Sequence, residues 1–136
     1  MSQNVLAQIH ALLAAKRYAV TESGDSGLRI REVDSGLTMQ AELQGEILFF
    51  SLACATVPSA SVTPTVMVKM LDADNGISTS HFQIHAGNDG NTTITLNNFC
   101  KLQEMGPDDE DDILSCVSFL LADVIHARDL LATDLK

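Results

Sequence analysis

The spacing of apolar residues along the chain changes several times, and each change marks an element. Residues 2–16 carry a helical spacing, with Val5, Leu6, Ile9, Leu12 and Leu13 on one side. Ser2 is placed to cap that helix, and Lys16 and Arg17 stand at its C-terminal end, where the dipole favours cations. The period then falls to two. Residues 18–22 are compatible with a short strand. Leu28, Ile30 and Val33 nearly alternate with Arg29, Arg31 and Glu32, and Leu37, Met39, Ala41 and Leu43 alternate with Thr38, Gln40 and Glu42. Residues 47–55 are more continuously apolar, as a central strand would be. Turn clusters at 23–27, 34–36 and 44–45 join these runs into an antiparallel meander.

Beyond a linker at 58–61, Thr63 and Pro64 offer a cap and a first helical residue for a short helix ending near Leu71. The β-branched Thr65, Val66 and Val68 weigh against it. Residues 80–85 and 92–96 flank Gly87-Asn88-Asp89-Gly90 and predict a hairpin. Asn97 and Asn98 are expected to end that strand and lead into a helical turn at 99–104.

The strongest signal is the run 107–131. Pro107 suits a first helical turn, and five consecutive acids follow it: Asp108, Asp109, Glu110, Asp111 and Asp112. They face the positive end of the helix dipole, each worth about 0.3–1 kcal/mol when exposed. Ile113, Val117, Leu120, Leu121, Val124 and Leu131 share a face, which Leu114, Phe119 and Ile125 widen. So wide a face calls for cover on two sides, from the sheet and from the rest of the subunit or a second copy. The order is helix, three strands, short helix, two strands, long helix. It predicts one α+β domain over residues 1–136, with a mostly antiparallel five-stranded sheet, an N-terminal helix, a short middle helix and a long C-terminal helix.

Composition narrows function more than it names it. The 136 residues are 46% hydrophobic, as expected of a globular chain. No apolar run reaches membrane-spanning length and no signal-peptide pattern opens the sequence, so a cytoplasmic protein without membrane insertion is expected. Cys54, Cys100 and Cys116 form no CxxC pair and read as reduced, buried thiols. The formal charge is −10, of which residues 73–136 carry most. Such a surface repels phosphate backbones and attracts a basic or partly unfolded segment.

Candidate chemistry is sparse. The acid run lacks the alternation and the glycine of a calcium loop, so it reads either as a solvated helix start or as a docking patch for a basic segment. His81 and His85 would share a strand face, but about 13 Å of backbone separates them, too far for one ion. No HExxH, GxSxG or phosphate-cradling glycine motif occurs, and no cofactor or metal is expected. One Tyr, five Phe and no Trp leave little for base stacking.

The order of elements resembles the secretion-chaperone-like fold, which includes type III secretion chaperones and YbjN-like proteins. The resemblance spans nearly the whole chain and implies a small, acidic, dimeric protein. A closer resemblance is to the bacterial YjfI family. It is carried by Val68-Lys69-Met70-Leu71, by Ile77-Ser78-Thr79-Ser80-His81-Phe82-Gln83-Ile84 and by Leu121-Ala122-Asp123-Val124-Ile125. The chain departs from that family at residues 93–99, where a strand end with glycine and alanine is expected. The family has no established activity and lends no catalytic residue. The sequence thus favours a non-enzymatic protein-binding module, chaperone-like or adaptor, that forms homodimers. Its candidate partner-binding residues are Asp108, Asp109, Glu110, Asp111 and Asp112. The alternatives are an enzyme whose site gathers dispersed residues, recognisable by a deep polar pocket, and a ligand-sensing domain with a cavity lined by Met39, Met67 and Met70.

Overall fold

The computed structural model describes residues 2–135, and the side chains of Ser2 and Gln3, with the expected Ser2 cap, lie outside the described residues. The elements are α1 (Ser2–Ala14), β1 (Tyr18–Ser23), β2 (Gly27–Glu32), β3 (Thr38–Gln44), β4 (Ile47–Pro58), a 3-10 turn (Ser59–Ser61), α2 (Pro64–Leu71), β5 (His81–Ala86), β6 (Asn91–Lys101) and α3 (Pro107–Leu131). The sheet order is β1-β2-β3-β4-β6-β5. By contact density the chain forms two compact units, Met1–Ser51 with Asn98–Ser118, and Leu52–Asn97 with Phe119–Lys136.

In the first unit α1 lies on β1 and β2, with Ile9 and Leu13 fully buried. The meander buries one face through cross-strand pairs: Leu28 opposite Ala41, Ile30 opposite Met39, Ala41 opposite Phe50 and Leu43 opposite Leu48. Gln44 pairs with Ile47, so Gly45 and Glu46 alone make the turn, and Gly45 takes the positive φ of 64° that such a turn requires at its first position.

The sheet has six strands where the sequence predicts five. The additional strand is β1, which pairs residue for residue with β2, from Tyr18–Glu32 to Ser23–Gly27. It lies at a sheet edge and has no fully buried residue, so its apolar alternation is confined to Tyr18 and Val20. A second difference concerns β6. It does not stop at Asn97 but continues to Lys101, and no helical turn forms at 99–104. Asn98 is buried, and its Nδ2 donates to the Cys116 carbonyl at 3.0 Å, so a residue that reads as a breaker has its polarity met by α3.

In the second unit Thr63 caps α2, its Oγ1 accepting from Val66 N at 3.3 Å, with Pro64 as the first helical residue. The cap and the proline outweigh the β-branched residues. β5 pairs with β6 from His81–Asn97 to Ala86–Thr92 and places His81, Gln83 and His85 on one face, Phe82 and Ile84 on the other. Three hydrogen bonds hold the later part of α3, from residue 119 onward, within this unit. Thr79 and Ser80 hydroxyls donate to Asp123 Oδ2 at 2.6 and 2.8 Å, and Arg128 Nε donates to the Cys54 carbonyl at 3.3 Å.

Helix α3 has the bounds expected from sequence. Ile113, Val117, Leu120, Leu121, Val124 and Leu131 are all buried, with Cys116 and Ala127 beside them. Of the widening residues, Phe119 is 43% and Ile125 60% exposed, so this chain covers only one side of the helix. Adjacent positions on α3 therefore predict opposite outcomes. Val124→Ala removes fully buried methyl groups and should lower the urea-unfolding free energy by about 1–3 kcal/mol, whereas Ile125→Ala should change it by less than about 0.5 kcal/mol.

Candidate functional site

The structure separates the five acids. Asp108, Glu110, Asp111 and Asp112 are exposed at the start of α3, while Asp109 retains 1% of its surface. Its Oδ2 accepts from Gln103 N at 2.6 Å and from Gly106 N at 3.1 Å. These bonds close a turn in which Glu104 and Met105 both take left-handed backbone, with φ of 57° and 56°. Two successive side-chain-bearing residues in that region are costly, and a buried carboxylate gathering two backbone N–H groups offsets the cost. Asp109 is thus a structural acid, and only four of the five can meet a partner.

The histidines do not gather. His81 and His85 are exposed on the polar face of the hairpin, where His85 Nε2 lies 3.0 Å from Thr95 Oγ1. Among the described residues no group of three or more His, Cys, Asp or Glu is arranged to hold a metal ion. In the first unit His10, Glu22 and Asp25 line a cleft of about 260 Å3, and among the described residues no serine, threonine or cysteine lines it. In the second unit burial pushes the Cys54 thiol up to about 11, against the nearby Arg128 charge, so it stays protonated near neutral pH. Met39 is buried in the core of the first unit, whereas Met67 and Met70 line a groove of the second.

Three of the exposed large apolar side chains, Val68, Leu71 and Ile84, stand on the two elements that form that groove. It measures about 120 Å3 and is lined by Met67, Met70, Leu71, Phe82, Gln83 and Ile84. Leu71 is 81% exposed, Val68 63% and Ile84 48%. The groove lies between α2 and β5, and β5 ends the sheet, so its outer backbone edge carries no further strand. Exposed apolar side chains beside a free strand edge can take up an extended segment through main-chain hydrogen bonds and side-chain contact. A sequence signal for it exists in α2. Its eight residues include Val66, Met67, Val68, Met70 and Leu71, too many for so short a helix to bury, and only Val66 and Met70 are buried.

No family model and no curated protein matches the sequence. Solved structures share its architecture. YbjN from E. coli, a candidate transcription regulator, superposes with a TM-score of 0.70 at 15% identity, over 96% of this chain and 93% of YbjN. A chain of the heterodimeric ExoU–SpcU complex, from the type III secretion system of Pseudomonas aeruginosa, gives a TM-score of 0.56 at 19% identity, over 90% of this chain and 96% of that one. The fold is secretion-chaperone-like. At these identities the likeness concerns fold alone, and the resemblance to the YjfI family rests on its three segments. Among the described residues no helix is long and apolar enough to cross a membrane.

The division of the acid run gives a direct test. Asp109→Ala should cost about 1–3 kcal/mol of stability in chemical denaturation, because two backbone donors lose their acceptor. Asp111→Ala should cost less than about 0.5 kcal/mol. Equal effects at the two positions would contradict the structural role of Asp109.

Proposed function

We propose that the protein is a non-enzymatic binding module of the chaperone or adaptor kind, which holds an extended segment of another protein on the α2–β5 surface. The observation that carries this reading is the exposure of Val68, Leu71 and Ile84 around an apolar groove at a sheet edge. Burying such side chains yields roughly 25 cal/mol per Å2 before ordering costs. The ExoU–SpcU complex supports the reading, since SpcU pairs with a partner protein on the same fold. Asp108, Glu110, Asp111 and Asp112 add a negative field that speeds the arrival of a basic segment, while the apolar groove sets how long it stays. A charge of −10 repels phosphate backbones and disfavours a nucleic-acid partner. The setting is cytoplasmic.

The proposed assembly is a two-fold homodimer, with the uncovered side of α3 around Phe119 and Ile125 as its contact. Light scattering should give twice the subunit mass of 14.6 kDa, and Ile125→Asp should return a monomer. A monomeric wild type at micromolar concentration would exclude the dimer without touching the binding site.

The binding site is tested by a photo-crosslinking amino acid placed at Leu71, at Ile84 or at the exposed Gln40 on β3. A shared partner should crosslink from the first two positions and not from Gln40, and Leu71→Asp should abolish its co-purification. A partner that crosslinks equally from Gln40, or no specific partner from either groove position, would overturn the proposal.

A further inference from the structure

Besides the α2–β5 groove, the second unit holds a pocket of about 160 Å3. Cys54 and Ala55 of β4 contribute to its lining, with Ala127, Leu131, Ala132 and Leu135 at and just beyond the end of α3. The space exists because Ala55, Ala127 and Ala132 end at a methyl group. Burial pushes the Cys54 thiol up to about 11, so these six side chains are all neutral near pH 7. Among the described residues none lines both this pocket and the groove.

Arg128 completes the lining and brings a charge to it. Its Nε donates to the Cys54 carbonyl at 3.3 Å, which ties the guanidinium to β4 rather than to the free carbonyls at the end of its own helix. That bond leaves the Nη groups to serve a ligand. The positions three and four residues away along the chain are Val124, Ile125, Leu131 and Ala132, so no acid of α3 reaches Arg128 by helical spacing. Among the described residues no carboxylate forms an ion pair with it. An apolar recess and an anchored cation with spare donors thus share one pocket.

We propose that this pocket binds a small aliphatic monocarboxylate, with its hydrocarbon tail against Ala55, Ala127 and Leu131 and its carboxylate on the Arg128 Nη groups. Volume sets the length of the tail. An apolar cavity of about 150 Å3 takes a molecule of about six carbon atoms, so the tail is a short chain and not that of a membrane lipid. Geometry selects the head group, because a planar guanidinium offers paired N–H donors that match the two oxygens of a carboxylate. An amine would meet the like charge of Arg128. Net charge limits the ligand to one carboxylate, since a chain of −10 repels the surplus charge of a dicarboxylate. Partner capture at the α2–β5 groove does not depend on this pocket, and each is tested by itself.

The test is an NMR titration of the full-length protein with 4-methylpentanoate at fixed pH and matched ionic strength. Saturable shifts should appear at residues 54–55 and 127–135, and not at 81–86 in β5. Acetate, which lacks the tail, and 4-methylpentanamide, which lacks the charge, should each bind at least about tenfold more weakly. Arg128→Gln, which keeps a donor for the Cys54 carbonyl, should weaken 4-methylpentanoate by about the same factor. Ala132→Phe, at an exposed position, should fill the pocket and abolish saturation. Circular dichroism checks that both variants are folded, and the comparison with the amide decides the matter without any variant. Equal binding of the amide, saturation centred elsewhere, an unchanged affinity in either folded variant, or no saturation of the wild type would each overturn the proposal.

Discussion

Helix α3 has one continuous apolar face, and the structure depends on its being buried. Ile113, Val117, Leu120, Val124 and Ala127 are fully buried along it, and Leu131 nearly so. Each large aliphatic side chain so placed contributes about 1.5–3 kcal/mol, against about 0.5–1.5 kcal/mol for an ordinary hydrogen bond. Burial therefore supplies the stability, and the polar contacts fix the register. Asn98 holds Cys116 in the first unit, and Arg128 and Asp123 hold β4 and the loop before β5 in the second. A helix slid by one residue would lose these contacts and turn its apolar face away.

The start of α3 shows how charge is divided between structure and surface. Five acids at a helix N-terminus look equivalent in the dipole field, yet one of them faces inward. Asp109 closes the turn between β6 and α3, which Glu104 and Met105 enter in left-handed backbone. Neutralising its neighbours removes field from the surface, whereas neutralising Asp109 removes the acceptor that holds the turn. A binding experiment that changes all five acids together would confuse these effects.

Much of this was legible in the sequence, for reasons that differ by element. The bounds of α3 follow from Pro107, the acids and a sustained apolar period, and α2 from Thr63 and Pro64. β1 is faint in the sequence because an edge strand buries little and so alternates weakly. Asn97 and Asn98 read as an end to β6 because a lone sequence does not reveal that Asn98 meets a carbonyl from eighteen residues onward. The inward acid in the run 108–112 depends on the turn before it, and that turn depends on Asp109 in return. The α2–β5 surface carries no motif in the sequence, because it exists only once β5 lies beside α2. Its excess of apolar residues was the available signal.

The functional account follows from what burial leaves over. α3 satisfies one face and leaves Phe119 and Ile125 outside, while α2 and β5 leave Val68, Leu71 and Ile84 beside a free sheet edge. The central claim is that a partner segment adds to β5 as a further strand. Amide hydrogen exchange on the purified complex tests this most directly. The account predicts slowed exchange in β5, at residues 81–86, with slowing in α2 beside it and little change in β1 at the opposite edge. Unchanged exchange in β5, with protection in β1 or at the start of α3 instead, would contradict it.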